Sequence, residues 1–425
     1  MSRVLAVTFD PLTDRMPGPA IRAWNLALQL SAEHQVTLAG TAGADRRHPD
    51  MEVIAATGAD LDRLADEVDV VFAPGSVVRR HPGLAASKTA LCVDLYDPTH
   101  LENLEPVGAE GDGAHLAAVA HQVSVLNDDL GRGDFFLCAT RRQRDFWLGA
   151  LASLGRVNPH NYRADPTFER LIAQVPFGVD AQPPTGEPGA LRRLFPVIGP
   201  SDPVLVWGGG VYNWFDPLTL LGAVEELTPR WPSIRLVFLG MRHPNPEIPQ
   251  MRVATALRSE SDRRGLSGTH VFFNENWVPY DERGALLLDA DVGVSTHLPT
   301  IETHFSSRTR VLDYLWAGLP TVLTAGDSLS KAIAEAGLGE AVPGGDVEAL
   351  AQAIDRVLNA PIDRQEVQSF ARRYDWAVTA RPLVQYCRSP WKAADRDGAA
   401  SPVARVEAGG PVGRAARLAA RLARR

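Results

Sequence analysis

Short apolar, β-branched runs recur along the first half of the chain, and stretches with helical spacing alternate with them. RVLAVTF (3–9), QVTLAG (35–40), DVVFAP (69–74), TALCVDLY (89–96) and DFFLCAT (134–140) read as strands. IRAWNLALQLSAEH (21–34) and RRQRDFWLGAL (141–151) repeat apolar positions three and four apart, the mark of an amphipathic helix. Strands and helices alternating in this way predict βαβ units and a parallel sheet. The series closes at VPFGVD (175–180), and the Pro/Gly-rich stretch 181–203 reads as a linker. The pattern then restarts with PVLVWGG (203–209), RLVFLG (235–240), HVFFNE (270–275), VGVSTH (292–297) and PTVLTAG (320–326). A last helical stretch covers 369–389. The expected division is an α/β domain over 1–180, a linker over 181–203 and a second α/β domain over 204–368. A helix over 369–390 and a tail over 391–425 follow. Two doubly wound parallel sheets place their ligands outside the carboxyl ends of the strands, here in a cleft between the domains.

Composition narrows this reading. The chain has 425 residues, 45% apolar and 22% charged, which is ordinary globular usage. No uninterrupted apolar run reaches the length of a membrane span, and Met1 leads into a strand rather than a signal-peptide core. The expectation is a cytoplasmic protein. Cys92, Cys138 and Cys387 are too few and too far apart for a disulfide framework or a metal cluster. Residues 391–425 carry eight basic and three acidic side chains, a net +5, which leaves −13 on residues 1–390. An acidic body of this kind argues against nucleic acid as a partner. Lysine is scarce, with only Lys88, Lys331 and Lys392 against 40 arginines.

Candidate chemistry falls at strand ends. Gly18, between two prolines, opens a helix whose amides can face an anion; a plain Pro-Gly turn is the alternative. WGGGVYNWFDP (207–217) is a second glycine loop, lacks the dinucleotide-binding spacing, and puts Gly209 where a ligand can approach the backbone. The densest segment is THLPTIETHFSSRTRVLDYLWAGLPTVLTAG (296–326). Ser306, Ser307, Arg308 and Arg310 at a helix start suit a diphosphate, and Asp313 suits ribose hydroxyls. The plainer alternative is a capped helix with an Arg310–Asp313 surface pair. In VDLYDPTH (93–100), Asp94, Asp97 and His100 lie close together. They could handle an acceptor or a proton; a strand-end turn with a solvated histidine is the alternative.

Residues 296–326, IRAWNLALQLSAEHQVTLAG, VPFGVD and GLGEAVPGGDVEALAQAIDRVL (337–358) together resemble the retaining glycosyltransferases of family four, over roughly residues 1–390. RTRVLDYLWAGLPTV is the most specific piece. The resemblance implies a GT-B fold: two Rossmann-like domains facing a cleft, the first binding acceptor and the second a nucleotide-sugar, with a C-terminal helix crossing back. It also implies roles for single residues. Glu302 matches the glutamate on the donor sugar, and together with Asp97, read from its strand end, it is a catalytic candidate. Asp313 matches the second carboxylate and the glycine loop at Gly209 supports the match, joining Gly18, Ser306 and Ser307 as donor-binding candidates. Trp277, Val278 and Tyr280 resemble the segment on the nucleobase, with an aromatic core as the alternative. The chain departs from the pattern in two places. Asp313 stands eleven positions after Glu302 where the family spaces two glutamates eight apart, and GVYNWFDP offers no basic residue for the diphosphate. Arg242, Arg308 and Arg310 are the substitutes.

The implied function is metal-free transfer of a sugar from a nucleotide-sugar substrate, with no cofactor, to a glycan, lipid-linked or small-molecule acceptor. Two alternatives stay open, a non-catalytic nucleotide-sugar-binding partner and a sugar-nucleotide epimerase of the same fold. A pyridoxal-phosphate phosphorylase needs a cofactor lysine, and Lys331 begins a surface-like helix. From Pro411 onward, PVGRAARLAARLARR clusters its arginines on one face of a helix, so 411–425 is a candidate contact with the inner face of the cell membrane. A disordered arginine-rich end is the other reading.

Overall fold

A computed structural model of the chain describes residues 1–105, 111–245 and 248–396. Two sheets form its frame. The first contains β1 (Arg3–Thr8), β2 (Gln35–Gly40), β3 (Glu52–Ala55), β4 (Val70–Pro74), β5 (Ala90–Asp94), β6 (Phe135–Cys138) and β7 (Ile172–Gln174), in the order β3-β2-β1-β4-β5-β6-β7. The second contains β8 (Val204–Trp207), β9 (Arg235–Phe238), β10 (Val271–Phe273), β11 (Val292–Ser295), β12 (Thr321–Thr324) and β13 (Gly339–Val342), in the order β10-β9-β8-β11-β12-β13. Every strand pairing in both sheets is parallel.

Helices cover both faces of each sheet, so the central strands must be apolar on both sides. Val4 and Ala6 of β1 pack with Trp24 and Leu26 on one face, while Leu5 and Val7 pack with Trp147 and Leu61 on the other. The apolar runs therefore predict the central strands. They do not predict β3, β7 and β13, each three or four residues long at a sheet edge. In both sheets the winding reverses beside the first strand, at β1/β4 and at β8/β11, and the loops beyond those carboxyl ends form the cleft.

The C-terminal segment returns to the first domain. Val179 accepts from the Trp376 amide at 3.1 Å and donates to the Tyr374 carbonyl at 2.9 Å, and the Trp376 ring lies 4.9 Å from Phe177. A Cβ on Gly178 would sit 2.4 Å from that indole, so the close approach needs glycine. This pairing extends the backbone at Asp375 and divides the helix expected over 369–389 into Arg364–Ala371, Trp376–Thr379 and Arg381–Arg388. The last of these rests on the first domain, where Ser2 Oγ donates to the Cys387 carbonyl at 2.6 Å and Tyr386 stacks on Phe135.

Residues 391–396 correct the sequence reading, which put them in the tail. Ala393 is buried in the first domain's core, and Asp395 pairs with Arg156 at 2.7 Å, both side chains almost wholly enclosed. The rest of the tail, including 411–425, lies outside the described residues. Among the described residues no helix is long and apolar enough to cross a membrane.

Candidate functional site

The cleft between the domains is open to solvent and spans about 1140 Å³ of empty space. A smaller apolar recess of about 550 Å³ opens beside it in the second domain. Gly208–Gly210, beyond β8, separate the two. The Gly208 amide donates to the Tyr314 hydroxyl at 2.7 Å, and Gly209 takes φ +70°, a region open to glycine without strain. That turn leaves bare backbone facing the cavity.

Arg310 lies under this loop. Its guanidinium sits 4.2 Å from the Phe215 ring centre and 4.7 Å from that of Trp207, and Nη2 donates to the Gly210 carbonyl at 2.8 Å. Nη1 is buried with no partner. Burial pulls the pKa down to about 10, so the side chain stays charged at neutral pH. A buried guanidinium group in the cleft lining, with one amino group lacking a partner, is suited to an anion. The helix Thr309–Trp316 begins at the same place with no side-chain cap, and Ser307 and Thr309 line the cleft with it. Burial and the charges of Arg308 and Arg310 hold His297 well below its usual pKa, neutral behind this cluster.

Asp313 sits at the recess. Arg283 Nε donates to its Oδ1 at 3.1 Å and Arg283 Nη2 reaches Asp180 at 3.2 Å, so one guanidinium braces the carboxylate against the start of the linker. A third of the Asp313 side chain remains exposed. Trp277, Val278 and Tyr280 line the recess, and their loop is tied to the first domain: the Tyr280 amide donates to the Asp14 carbonyl at 2.7 Å and Trp277 Nε1 to that of Met16 at 3.2 Å.

The facing wall comes from the first domain and carries carboxyl groups. Asp10 follows β1, Asp97 follows β5, and Glu102 ends the short helix Thr99–Glu102. A side-chain hydrogen bond joins Asp97 to Glu102. Burial pushes Asp97 up to about 6, while burial and then the Asp97 charge push Glu102 well above the carboxylate range, so the pair takes up a proton more readily than isolated carboxyls. Burial also raises Asp10, whose side chain is hydrogen-bonded to Asn245.

The structure places the expected residues as follows. Gly18, Gly209, Asp97, Glu302, Ser306, Ser307, Arg308, Arg310 and Asp313 all line the cleft, and Val278 lines the recess. The Arg310–Asp313 surface pair does not form, because Arg310 is buried under the loop and Asp313 pairs with Arg283. Arg308 is taken up by Glu302, donating at 3.0 and 2.6 Å to its two carboxylate oxygens, with both side chains almost fully buried. Arg242 stands outside the cleft lining, three-quarters exposed, beside Glu275. Asp94 is a framework residue: Arg22 donates to it at 2.5 and 3.0 Å and also to the Val175 and Pro176 carbonyls. His100 is not solvated either, stacking on Phe146 with ring centres 5.6 Å apart.

Sequence reasoning missed Asp10, Glu102, Tyr212 and Trp214. The last two lie in the segment noted for lacking basic residues, where they stack in parallel at 4.9 Å and line the cleft. An acidic residue just past β1 was the available signal for Asp10; none pointed to Glu102. Among the described residues no group of three or more His, Cys, Asp or Glu is arranged to hold a metal ion.

Residues 202–360 match the family model for glycosyl transferases group 1. No curated protein sequence matches the chain. Solved structures match nearly its full length. HepE of Anabaena in complex with UDP-glucose aligns over 92% of this chain and all of its own, with a TM-score of 0.66 at 13% identity. Sucrose-phosphate synthase of Thermosynechococcus elongatus aligns over 91% of this chain and 98% of its own, with a TM-score of 0.63 at 13% identity. The glycosyltransferase AviGT4 of avilamycin A biosynthesis reaches 18% identity and a TM-score of 0.55 over 91% of this chain and 97% of its own. The fold is that of the GT-B glycosyltransferases.

Proposed function

We propose that the chain is a retaining glycosyltransferase that binds a nucleotide-sugar in the second domain and passes the sugar to an acceptor held against the first. The observation carrying this reading is Arg310, which lines the cleft at the Gly208–Gly210 loop with its Nη1 buried and unpartnered. Arg310, the glycine-loop backbone and the open amides at Thr309 would receive the diphosphate. Asp313 would accept from the ribose hydroxyls, and the recess beside Trp277 and Val278 would take the base. As the diphosphate leaves, its growing charge is met by Arg310 and helix amides fixed in place beforehand, which needs neither metal nor lysine. Glu302, oriented by Arg308, and Asp97 would flank the transferred sugar. The departing phosphate oxygen can itself deprotonate the acceptor on the same face, as retention requires. A cytosolic nucleotide-sugar would place this work in the cytoplasm.

Uridine diphosphate is the nucleotide to try first, because HepE was solved with UDP-glucose. Thermal unfolding with UDP, GDP and dTDP tests the donor site: a ligand at 100 times its Kd stabilises by about 2.7 kcal/mol. Nucleotide release from the matching nucleotide-sugar tests the reaction. No stabilisation by any of the three sinks the reading. Stabilisation without release, across a panel of acceptors, favours a non-catalytic binding partner instead.

A further inference from the structure

The charges in the cleft are sorted by side. Both of its arginines belong to the donor side: Arg308 is bound to Glu302, and Arg310 sits under the glycine loop with one amino group buried and unpartnered. None of the chain's three lysines lines the cavity. On the facing wall, Asp10, Asp97 and Glu102 line the cavity with no arginine or lysine hydrogen-bonded to them among the described residues. On the donor side, Glu302 is paired with Arg308 and Asp313 with Arg283.

A second feature meets the same wall. Tyr212 and Trp214 stack with an interplanar angle of 4° and line the cavity from the second domain. The Tyr212 hydroxyl is near enough to Glu102, Asp10 and Asp97 to sense their charges. Tyr96 and Phe177 add aromatic surface from the first domain, with Tyr96 held between the Arg22 guanidinium at 4.6 Å and the Phe177 ring at 6.3 Å. Carboxyl groups with no cation hydrogen-bonded to them, the Arg80 and Arg308 charges acting only from a distance, are suited, when set among aromatic rings, to a protonated amine borne on a compact ring. The carboxylates supply charge-assisted acceptors, and the rings supply π-surface to the cation and to the C–H face of the ring. An acceptor carrying phosphate or carboxylate would meet like charge at the same place.

Resting on the glycosyltransferase reading, we infer that the acceptor subsite takes an amine-bearing ring, an amino sugar or aminocyclitol, and that Asp10, Asp97 and Glu102 with Tyr212 and Trp214 select it. An ammonium group at the Asp97–Glu102 pair would displace the proton those two carboxyls now share and leave both ionised.

Three probes of matched shape test this: methyl β-glucosaminide, its N-acetylated form and methyl β-glucoside. Each is titrated at pH 7 into the full chain with UDP present, and binding is followed by ligand-observed NMR. The free amine is expected to bind at least ten-fold more tightly than both neutral probes. In Glu102→Gln and Asp10→Asn, each checked for native unfolding behaviour, the three affinities should converge, and Trp214→Ala should weaken all of them. Equal affinity of the three probes for the wild-type chain, or no binding by any, overturns the inference; so does a preference that survives both carboxyl variants. UDP-induced stabilisation in the same samples reports on the donor site separately. Its absence would sink the glycosyltransferase reading whatever the amine does, and its presence beside indifferent probes would sink only the acceptor assignment.

Discussion

The two walls of the cleft are built in opposite ways. The donor wall comes largely from one stretch, Glu302–Asp313, and its charges are committed: Arg308 to Glu302, Asp313 to Arg283, and Arg310 to a backbone carbonyl with one amino group spare. The wall proposed for the acceptor is gathered from the ends of two strands and a short helix; Asp97 and Glu102 are hydrogen-bonded to each other and Asp10 to Asn245, with no cation directly paired. A wall of settled ion pairs is preorganised, which is what stabilising a fixed leaving group requires. A wall of buried carboxyls without a directly paired cation is poised to gain when a complementary group arrives. Substitutions on the two sides should therefore fail in different ways.

The largest effect is expected at Arg310. Arg310→Met keeps much of the packing against Phe215 and Trp207 but removes the charge beneath the glycine loop. Turnover should fall by about 10²–10³, the range seen when a preorganised donor is lost, with a smaller loss of nucleotide affinity. Equal losses in turnover and affinity would mean that Arg310 serves ground-state binding only. Asp313→Ala should reverse the balance and weaken nucleotide binding by about 1–3 kcal/mol. Comparing UDP with its 2′-deoxy analogue checks it, because the variant should lose the distinction between them.

The acceptor wall should answer to pH. Asp97 has its pKa raised to about 6 by burial, so it is charged above that value and takes up a proton as pH falls through it. Transfer to acceptor should drop on the acid side of pH 6 while nucleotide binding holds. Asp97→Asn should lower transfer by about tenfold and abolish this acid limb, an effect smaller than the Arg310 loss because positioning, not charge neutralisation at the leaving group, is removed. Persistence of the acid limb in Asp97→Asn would assign it to another group.

The contrast between the walls also explains what could be read from the sequence. The donor wall is nearly contiguous, so its serines, arginines and aspartate stand out together, and central strands announce themselves by unbroken apolar runs. The pairings do not. Nothing in the order of residues says that Arg308 turns back to Glu302, or that Arg283, thirty positions before Asp313, braces it. Asp97 stands out as a strand-end acid, but Glu102 acquires its role only because the chain folds it against Asp97 in a site closed by the other domain. The edge strands β3, β7 and β13 escaped for a related reason: with one neighbour and few residues they need little apolar sequence.

The smallest effect belongs to the chain's basic end, and it sharpens the comparison by asking where the acceptor waits. Residues 411–425 carry five arginines, opposite in sign to the acceptor wall. Near an anionic bilayer each basic side chain adds about 1 kcal/mol of attraction, but alanines make a weak apolar face, so binding should be modest and lost at high salt. A chain ending at Arg396 keeps Ala393 and Asp395, which pack into the first domain, and discards the rest. That truncation should leave melting temperature and turnover with soluble acceptors unchanged while reducing co-sedimentation with vesicles containing anionic lipid. If both chains pellet equally, the tail is no membrane anchor. If only the full chain pellets, and the difference disappears at high salt, the basic end is an electrostatic membrane contact that brings the cleft to the bilayer surface despite the acidic wall.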